Sequence, residues 1–236
     1  MKLEIYPRHV GIIPDGNRRW AQREGVPVDV AYAKGIQVME DIAEWALKDT
    51  PIEYLTLYGF STENVTRGKR ELKALFDLYQ KEFYRVADSA KVQGNKIRIR
   101  AIGNLDLLPQ KVQEAVRYAE ESTKKFGKKT LCVAIGYGGR EELLHAIKEI
   151  AGEVKRGKID LSKIDENLVK EHLYTNGIPY PELIIRTKEQ RLSNFLTWQS
   201  AYSEFICIDK YFPEMTIRDF KGALLEYQNR DRRFGK

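Results

Sequence analysis

The segment HVGIIPDGNRRWA, residues 9–21, passes from a continuous apolar run into a turn and then into a helical pattern. Pro14, Asp15 and Gly16 are strong turn formers, so the segment predicts a strand, a tight turn and a helix in succession. A strand that is apolar at nearly every position is typical of a parallel sheet covered on both faces. The segment therefore favours an α/β fold in which the loops after the strands carry the polar groups.

Further strand-like runs alternate with longer segments of helical period. Apolar residues recur at helical spacing over 72–86, 112–119 and 143–154. This alternation predicts a single domain over residues 1–236, with a parallel sheet, right-handed crossovers and helices on both faces. The run at 96–103 instead alternates isoleucine with arginine, which predicts an edge strand. The other strand-like runs are 53–60, 130–137, 183–187 and 204–209.

Composition limits the classes of protein to which the chain can belong. Of its 236 residues 42% are hydrophobic and 31% are charged, which provides for a core and excludes wholesale disorder. The net charge of +6 suits a phosphorylated or nucleic-acid partner. The two cysteines lie far apart and favour neither a disulfide scaffold nor a cysteine zinc site. The segment MKLEIYPRH has no signal-peptide apolar stretch and no apolar run is long enough to cross a bilayer, so we expect a cytoplasmic protein.

The turn after the first strand gathers a carboxylate, a permissive glycine, an amide and two guanidinium groups. The backbone N–H groups at the start of the following helix and the side chains of Asn17, Arg18 and Arg19 are suited to an anion. Asp15 is suited to a divalent cation. The alternative is that Asp15 caps the helix while the arginines are solvated, and the segment alone does not decide between them.

Two later strands also end in polar segments. The second runs into YGFSTEN, residues 58–64, with Arg67 beyond it, and these side chains offer many hydrogen bonds or form only a capped loop. The fifth ends at Arg186, which closes a buried-looking run and needs an anionic partner, either a glutamate or a bound phosphate. The basic segment 230–236 is either a frayed end or a cover over an anionic ligand. No GxxxxGK[ST], GxGxxG, HExxH or DDxxD pattern occurs in the sequence.

Five blocks together resemble the cis-prenyltransferase family, which includes the undecaprenyl diphosphate synthases. The resemblance implies a six-stranded, mostly parallel sheet and a homodimer. It also implies sequential condensation of isopentenyl diphosphate onto an allylic diphosphate with release of pyrophosphate, with Mg²⁺ as cofactor. The blocks are 9–21, 55–67, 135–143, 186–204 and 230–235.

The resemblance also assigns roles to individual residues. It makes Asp15 the essential aspartate and joins it to Glu204 around magnesium. It credits Asn64 with accepting the departing proton, but a neutral amide has no useful basicity, so we expect Asn64 to position a water or a diphosphate oxygen that takes the proton. The allylic side comprises Gly16, Asn17, Arg18, Arg19, Trp20, Ser61, Thr62, Glu63 and Arg67. The isopentenyl diphosphate side comprises Arg186, Arg191, Leu192, Ser193, Arg233 and Gly235, of which the last two help to complete a site across the dimer in the family.

Three departures from the bacterial pattern bear on the primer. Val28 and Tyr32 stand where bacterial members have an arginine and a histidine, Val65 replaces a tryptophan, and the spacing from Arg186 to Arg191 is shorter. These changes resemble the archaeal branch, so we expect geranylgeranyl diphosphate as primer. The alternatives are another C20 primer such as a geranylgeranyl glyceryl phosphate, or a non-catalytic subunit of a two-component enzyme. The retained Asp15 disfavours the second alternative, and no nucleic-acid module supports a nucleic-acid binder.

A long polyprenyl product needs an apolar channel. The stripe over 72–86 is expected to wall it, with Gly59 and Phe60 near its mouth, unless the stripe is ordinary core. Such a product partitions into lipid, which predicts peripheral membrane contact for its release.

Overall fold

The computed structural model describes residues 2–230. It contains six strands in one sheet, and every paired neighbour runs parallel, which confirms the predicted fold class. The six predicted strands are all present, with ends shifted by at most one residue. They are β1 (His9–Ile13), β2 (Tyr54–Ser61), β3 (Ile97–Ile102), β4 (Lys129–Tyr137), β5 (Leu183–Thr187) and β6 (Glu204–Ile208).

The strands follow the order β3-β4-β2-β1-β5-β6 across the sheet. β3 therefore lies at an edge, as its alternating sequence predicts. Ile97 and Ile99 are buried, whereas Arg98 and Arg100, which alternate with them, are half-buried. The alternation reflects one protected and one more open face of an edge strand.

Eight α-helices connect or flank the strands among residues 2–230. None of them is long and apolar enough to span a membrane. They are α1 (Asn17–Glu24), α2 (Val28–Asp49), α3 (Lys69–Ala87), α4 (Ala90–Gly94), α5 (Gln110–Thr123), α6 (Gly139–Lys155), α7 (Glu166–His172) and α8 (Ile217–Gln228).

Each face of the sheet has its own hydrophobic core, because successive side chains of a strand point in opposite directions. Ile12 and Leu57 belong to the larger core, which includes side chains from α2, α3, α5 and α8. Ile13 and Tyr58, their neighbours in sequence, belong to the second core on the other face. The helical stripe over 143–154 packs only in part, because Leu144 and Ile147 are 56% and 60% exposed.

The parallel arrangement decides which loops can meet. The carboxyl ends of all six strands lie at one edge of the sheet, and this edge carries Asp15 after β1, Ser61 at the end of β2 and Thr187 at the end of β5. Glu204 begins β6 and pairs with Leu183, so it lies at the opposite edge. The fold therefore brings most of the predicted polar segments together and separates Glu204 from them.

Candidate active site

The turn between β1 and α1 is fixed by a glycine and by a link to β5. Gly16 has a φ of +97°, and a Cβ atom there would lie 2.4 Å from the ring of Tyr211. The Thr187 hydroxyl donates to the Asp15 carbonyl oxygen at 2.8 Å, and the Asp15 N–H lies 2.9 Å from the same hydroxyl oxygen. The Asp15 carboxylate is therefore held at the carboxyl ends of the neighbouring strands β1 and β5.

Asp15 joins two of the predicted phosphate-binding arginines. Its Oδ1 accepts from Arg19 Nη2 at 2.9 Å, and its Oδ2 accepts from Arg186 Nη2 at 2.7 Å. Arg186 is only 3% exposed, so the buried charge that the sequence indicates is compensated by a carboxylate. Burial alone would raise the pKa of Asp15, but the hydrogen bonds and charges of Arg186 and Arg19 outweigh it and lower the pKa below its usual value.

Glu189 is a second carboxylate in this cluster, and sequence reasoning assigned it no role. Its Oε1 lies 2.8 Å from Arg19 Nη1 and its Oε2 lies 3.7 Å from Arg186 Nη2, and it also pairs with Arg191. Three arginines thus share two carboxylates, which leaves an excess of positive charge for an anionic ligand. A glutamate in a charged loop gave no signal for this role, because such residues are usually solvated.

The loop after β5 arranges further donors around Arg186. Arg186 Nη1 donates to Ser193 Oγ at 2.6 Å and to the carbonyl oxygen of Arg191. Arg191 Nε donates to the same Ser193 oxygen at 3.2 Å, while its side chain stays 65% exposed. Ser193 and Asn194 have φ values of +48° and +64°, a strained backbone that persists where surrounding contacts hold it. The predicted residues Arg186, Arg191 and Ser193 therefore meet in one place.

Asn194 links this loop to the segment after β2, and the predictions missed it. Its side-chain nitrogen donates to Glu63 Oε1 at 2.8 Å and its side-chain oxygen accepts from the Arg140 N–H at 2.9 Å. Its backbone oxygen accepts from the Gly139 N–H at 2.7 Å. The signal was available, since Asn194 follows Ser193 in the same sequence block.

A buried carboxylate supports the same region from α6. Glu142 is 0% exposed and accepts from the Tyr137 hydroxyl at 2.5 Å and from Gln199 Nε2 at 2.9 Å. Burial raises the pKa of Glu142 above its usual value. Tyr137 ends β4 and Gln199 follows the β5 loop, so Glu142 ties these segments together. This explains the block at 135–143 without a contact to a substrate.

The segment after β2 is a short 3-10 helix over Thr62–Thr66. Asn64 Oδ1 accepts from the Ser61 N–H at 3.2 Å, which engages the amide oxygen and leaves its N–H donors as the groups for a ligand. Ser61, Glu63 and Asn64 line the main cavity. Thr62 instead lies against the turn before α6, where a Cβ on Gly138 would be 2.4 Å from Thr62 Oγ1.

A second cluster forms around Tyr32 on α2. The Tyr32 hydroxyl donates to Glu71 Oε1 at 2.7 Å and accepts from Arg67 Nη1 at 3.0 Å. Glu71 Oε1 also lies 3.4 Å from Arg67 Nη1 and 3.9 Å from Arg18 Nε. Burial, with help from Glu71, raises the pKa of Tyr32 to about 12, so the hydroxyl stays protonated. Glu71 is a further residue that the predictions missed.

Two cavities meet at these clusters. The polar cavity, of about 660 Å³, is lined by the predicted allylic-side residues Gly16, Arg18 and Arg19 and by Val28 and Tyr32, where the sequence departs from the bacterial pattern. The two cavities share a boundary lined by Pro14, Asp15, Asn17, Tyr32 and Arg67.

The main cavity, of about 630 Å³, extends from Asp15 between α2, α3 and the sheet. Four residues of the predicted stripe over 72–86 line it along α3, whereas Leu72 and Phe76 pack against the core instead. The four are Leu75, Tyr79, Phe83 and Val86. Gly59 lines it as well, but Phe60 does not and packs edge-on against Phe76 in the core. The apolar lining residues from the helices and the sheet are Ile36, Met39, Ala43, Leu57, Leu75, Leu78, Phe83, Val86, Ile99, Leu131 and Val133.

Several predicted site residues lie elsewhere. Trp20 is buried with Ala21 and Ala31 between α1 and α2 and lines neither cavity. Leu192 packs against the second core. The predicted residues Arg233 and Gly235 lie outside the described residues.

The described residues fit a magnesium ion at Asp15 but not at an Asp15–Glu204 pair. Glu204 lies at the opposite edge of the sheet, where it accepts from Arg230 Nη1 at 2.7 Å. No group of three or more potential metal ligands occurs between residues 2 and 230. Mg²⁺ is commonly held by one or two carboxylates together with substrate phosphates, a requirement that the ionised Asp15 meets.

Comparison with known proteins gives consistent results. The model of the Prenyltransf (undecaprenyl diphosphate synthase) family matches residues 13–235. The tritrans,polycis-undecaprenyl-diphosphate synthase (geranylgeranyl-diphosphate specific) of Methanopyrus kandleri is 46% identical over 98% of this chain and 85% of its own length. The protein of the same name from Methanocaldococcus jannaschii is 46% identical over 98% of this chain and 83% of its own length.

A solved structure also resembles the chain over its whole length. It is lavandulyl diphosphate synthase from Lavandula x intermedia in complex with dimethylallyl diphosphate. It superposes with a TM-score of 0.94 at 35% identity and covers 98% of both chains. A likeness of this extent includes the loops at the carboxyl edge of the sheet as well as the sheet itself.

Proposed function

Because the chain belongs to the undecaprenyl diphosphate synthase family of prenyltransferases, we propose that it elongates geranylgeranyl diphosphate by sequential condensation with isopentenyl diphosphate. Each step releases pyrophosphate, and repeated steps give a long polyprenyl diphosphate. The observation that carries the proposal is the Asp15–Arg186 pair at the mouth of a largely apolar cavity. Two archaeal relatives are named as specific for geranylgeranyl diphosphate, which supports that primer.

The two substrates would bind on opposite sides of Asp15. The primer diphosphate would bind to the Gly16 turn, Arg18, Arg19 and Arg67, and the apolar tail of the primer would lie in the main cavity. The diphosphate of isopentenyl diphosphate would bind to Arg186, Arg191 and Ser193, since both arginines already donate to the Ser193 hydroxyl oxygen. Guanidinium groups form paired hydrogen bonds with phosphate oxygens, so this donor set suits two diphosphates.

The proposed chemistry follows from this placement. The allylic C–O bond breaks, a carbon–carbon bond forms to the terminal alkene carbon of isopentenyl diphosphate, and one proton leaves. Negative charge builds up on the departing pyrophosphate, and the fixed charges of Arg18, Arg19 and Arg67 stabilise it more than they stabilise the ground state. The N–H donors of Asn64 would orient the diphosphate oxygen or water that takes the proton.

Asp15 would hold the magnesium ion together with substrate phosphate oxygens. The ion would supply further positive charge to the diphosphate. Ionisation of Asp15 is favoured by its arginine partners, which keep the carboxylate ready to bind a cation. Arg19 or Arg186 would have to share or release its hydrogen bond when the ion binds.

We place Glu204 in a homodimer rather than in the site of its own subunit. Glu204 is paired with Arg230, the last described residue before the basic segment 231–236. Leu144, Ile147 and Tyr202 are 56%, 60% and 77% exposed and offer apolar surface for a second copy. Sedimentation should give a dimer, and a monomeric but active enzyme would refute this part of the proposal.

Peripheral membrane contact is proposed for product release, because a long polyprenyl chain partitions into lipid. The test is co-sedimentation with vesicles before and after turnover. Binding that appears only with product would support the proposal. No binding in either state would contradict it.

The function is tested by mass spectrometry of products from labelled isopentenyl diphosphate. The primers to compare are geranylgeranyl, farnesyl and dimethylallyl diphosphate and a geranylgeranyl glyceryl phosphate. We expect a series of products that differ by one isoprene unit, formed fastest from geranylgeranyl diphosphate. Faster elongation of the glyceryl phosphate would favour the alternative primer, and no elongation from any primer would refute the proposed activity.

A further inference from the structure

Two carboxylates interrupt the largely apolar lining of the main cavity between α2 and α3. Glu40 lies on α2 and Glu82 lies on α3, and both line the cavity. Their side chains are only 17% and 15% exposed. Carboxylates are unfavourable in a wall that only holds an apolar tail, because they lose their hydration when the tail covers them.

Arg85 pairs with both carboxylates and forms with them the α2–α3 ion cluster. Arg85 Nε donates to Glu82 Oε2 at 2.7 Å, and Arg85 Nη2 donates to Glu40 Oε1. The Arg85 side chain is 45% exposed and does not line the cavity. The cluster thus forms a single layer of side chains, whose carboxylates face the cavity and whose guanidinium group faces the solvent.

The position of this cluster matters for a growing chain. α2 and α3 both begin near the polar edge of the sheet, where Tyr32 and Arg67 meet, and both run toward the opposite edge. Glu40 lies two helical turns beyond Tyr32, so the cluster lies beside the tail and away from the headgroups. Each added isoprene unit lengthens the tail, whereas the cavity volume of about 630 Å³ is fixed unless a wall opens.

We propose that the α2–α3 ion cluster is the seam through which the growing tail leaves the cavity, and that its strength sets product length. This inference rests on the proposed function. Ion pairs whose partner is as exposed as Arg85 are weak, and water readily replaces them. They hold the two helices together but allow them to separate. Once the cavity is full, further growth requires the two helices to separate at the cluster. A weaker cluster therefore permits longer products.

The ordinary alternative is that Arg85 only stabilises the packing of two helices. The two interpretations differ in what they predict for products. A purely structural ion pair affects the melting temperature and leaves product length unchanged. A seam affects product length and leaves the first condensation, which occurs at the other end of the cavity, at its normal rate.

The test is Arg85→Met, which keeps the length of the side chain and removes its charge. Its matched control is Lys91→Met, because Lys91 pairs with Glu44 of α2 at 2.6 Å, is also 45% exposed and lies outside the cavity lining. Product distributions are measured by mass spectrometry under identical substrate ratios. We expect Arg85→Met to lengthen the main product by at least one isoprene unit, with the rate of the first condensation within twofold of the wild type and no lengthening in Lys91→Met.

Arg85→Gln, which also removes the charge but keeps a polar side chain outside the cavity lining, provides the same test if Arg85→Met does not fold. Unchanged product length in a folded variant overturns the inference, as does equal lengthening in Lys91→Met. If the wild-type protein elongates no primer, the proposed function fails instead, so the two failures are distinguishable.

Discussion

The two ends of the main cavity are built on different physical principles. At the polar end each group is held by several directed contacts, as Asp15 is by Arg19, Arg186 and Thr187. At the far end most of the lining consists of apolar side chains such as Ala43 and Leu131, and the carboxylates of Glu40 and Glu82 interrupt it. One end is defined by charge and direction, and the other by shape and volume.

This difference separates two properties of the enzyme. In the proposed function, the directed charges at the polar end lie where negative charge develops, so we expect them to control the rate of condensation. Burial of an apolar tail is non-directional and contributes roughly in proportion to its area, so the far end controls how much tail is accommodated. We therefore expect rate and product length to respond to different substitutions, and three variants test that separation.

The largest effect is expected for Asp15→Asn. The amide keeps the shape of the carboxylate but removes the charge that compensates Arg186 and that we propose to bind the cation. Loss of one preorganised electrostatic group costs roughly 10²–10³ in kcat. Single-turnover measurement with geranylgeranyl diphosphate should show such a loss, and a loss below tenfold would remove Asp15 from the chemistry.

The same variant should also be less stable, because Arg186 is buried and loses its partner. The pKa of Asp15 is lowered in the folded protein, so its stabilising contribution is present above the usual aspartate pKa of about 4 and is lost as the pH falls through the lowered value. The difference in unfolding free energy between wild type and variant should thus be constant near neutral pH and shrink in acid. Asp209→Asn is the matched control, since Asp209 pairs with Lys188 at 2.8 Å but is 90% exposed.

The strands of the fold could be predicted from the sequence because they depend on the periodicity of apolar residues. Continuous apolar runs predicted the buried strands, and the alternation between Ile97 and Ile102 predicted the edge strand β3. The convergence of loops after parallel strands follows from the direction of the strands alone. For this reason Asp15, Arg186 and Ser193, which are distant in sequence, are expected in one region, and Arg186 contacts both of the others there.

What sequence reasoning missed depends on side-chain partners in three dimensions. Glu71 and Glu189 compensate the arginines that we propose to bind phosphate, but acids on a helix or loop usually face solvent and give no distinct signal. Trp20 lies in the predicted anion-binding block, yet its large apolar ring is buried between helices. Glu204 was assigned from a motif, and a motif does not reveal that its strand starts at the other edge of the sheet.

A smaller effect, still at the polar end, is expected for Tyr32→Phe. Without the hydroxyl, Glu71 loses a hydrogen bond and pairs more strongly with Arg67, which makes Arg67 less available to the primer. A hydrogen bond to a charged group contributes about 1.5 kcal/mol or more, which corresponds to about tenfold in affinity. The KM for geranylgeranyl diphosphate should rise by about tenfold, while the KM for isopentenyl diphosphate stays within twofold.

Tyr79→Phe is the control for this measurement, because the Tyr79 hydroxyl lies in the same cavity but donates to the Gly59 carbonyl oxygen at 2.6 Å. It should leave both KM values near those of the wild type. If Tyr32→Phe raises the two KM values equally, Tyr32 supports the whole site and does not select the primer.

The smallest effect on rate, and a change in product instead, is expected for Ala43→Phe. Ala43 lies eleven residues beyond Tyr32 on α2, which is roughly 16 Å along the helix axis, and it lines the far part of the cavity. A phenylalanine there fills space that the tail would occupy without touching a charged group. The first condensation should proceed within twofold of the wild-type rate, whereas the main product should be shorter by at least one isoprene unit. Ala43→Ser, which adds little volume, should retain the wild-type product. Since only volume differs between these two variants, a slower first condensation with unchanged product length in Ala43→Phe would show that the two ends of the cavity are coupled.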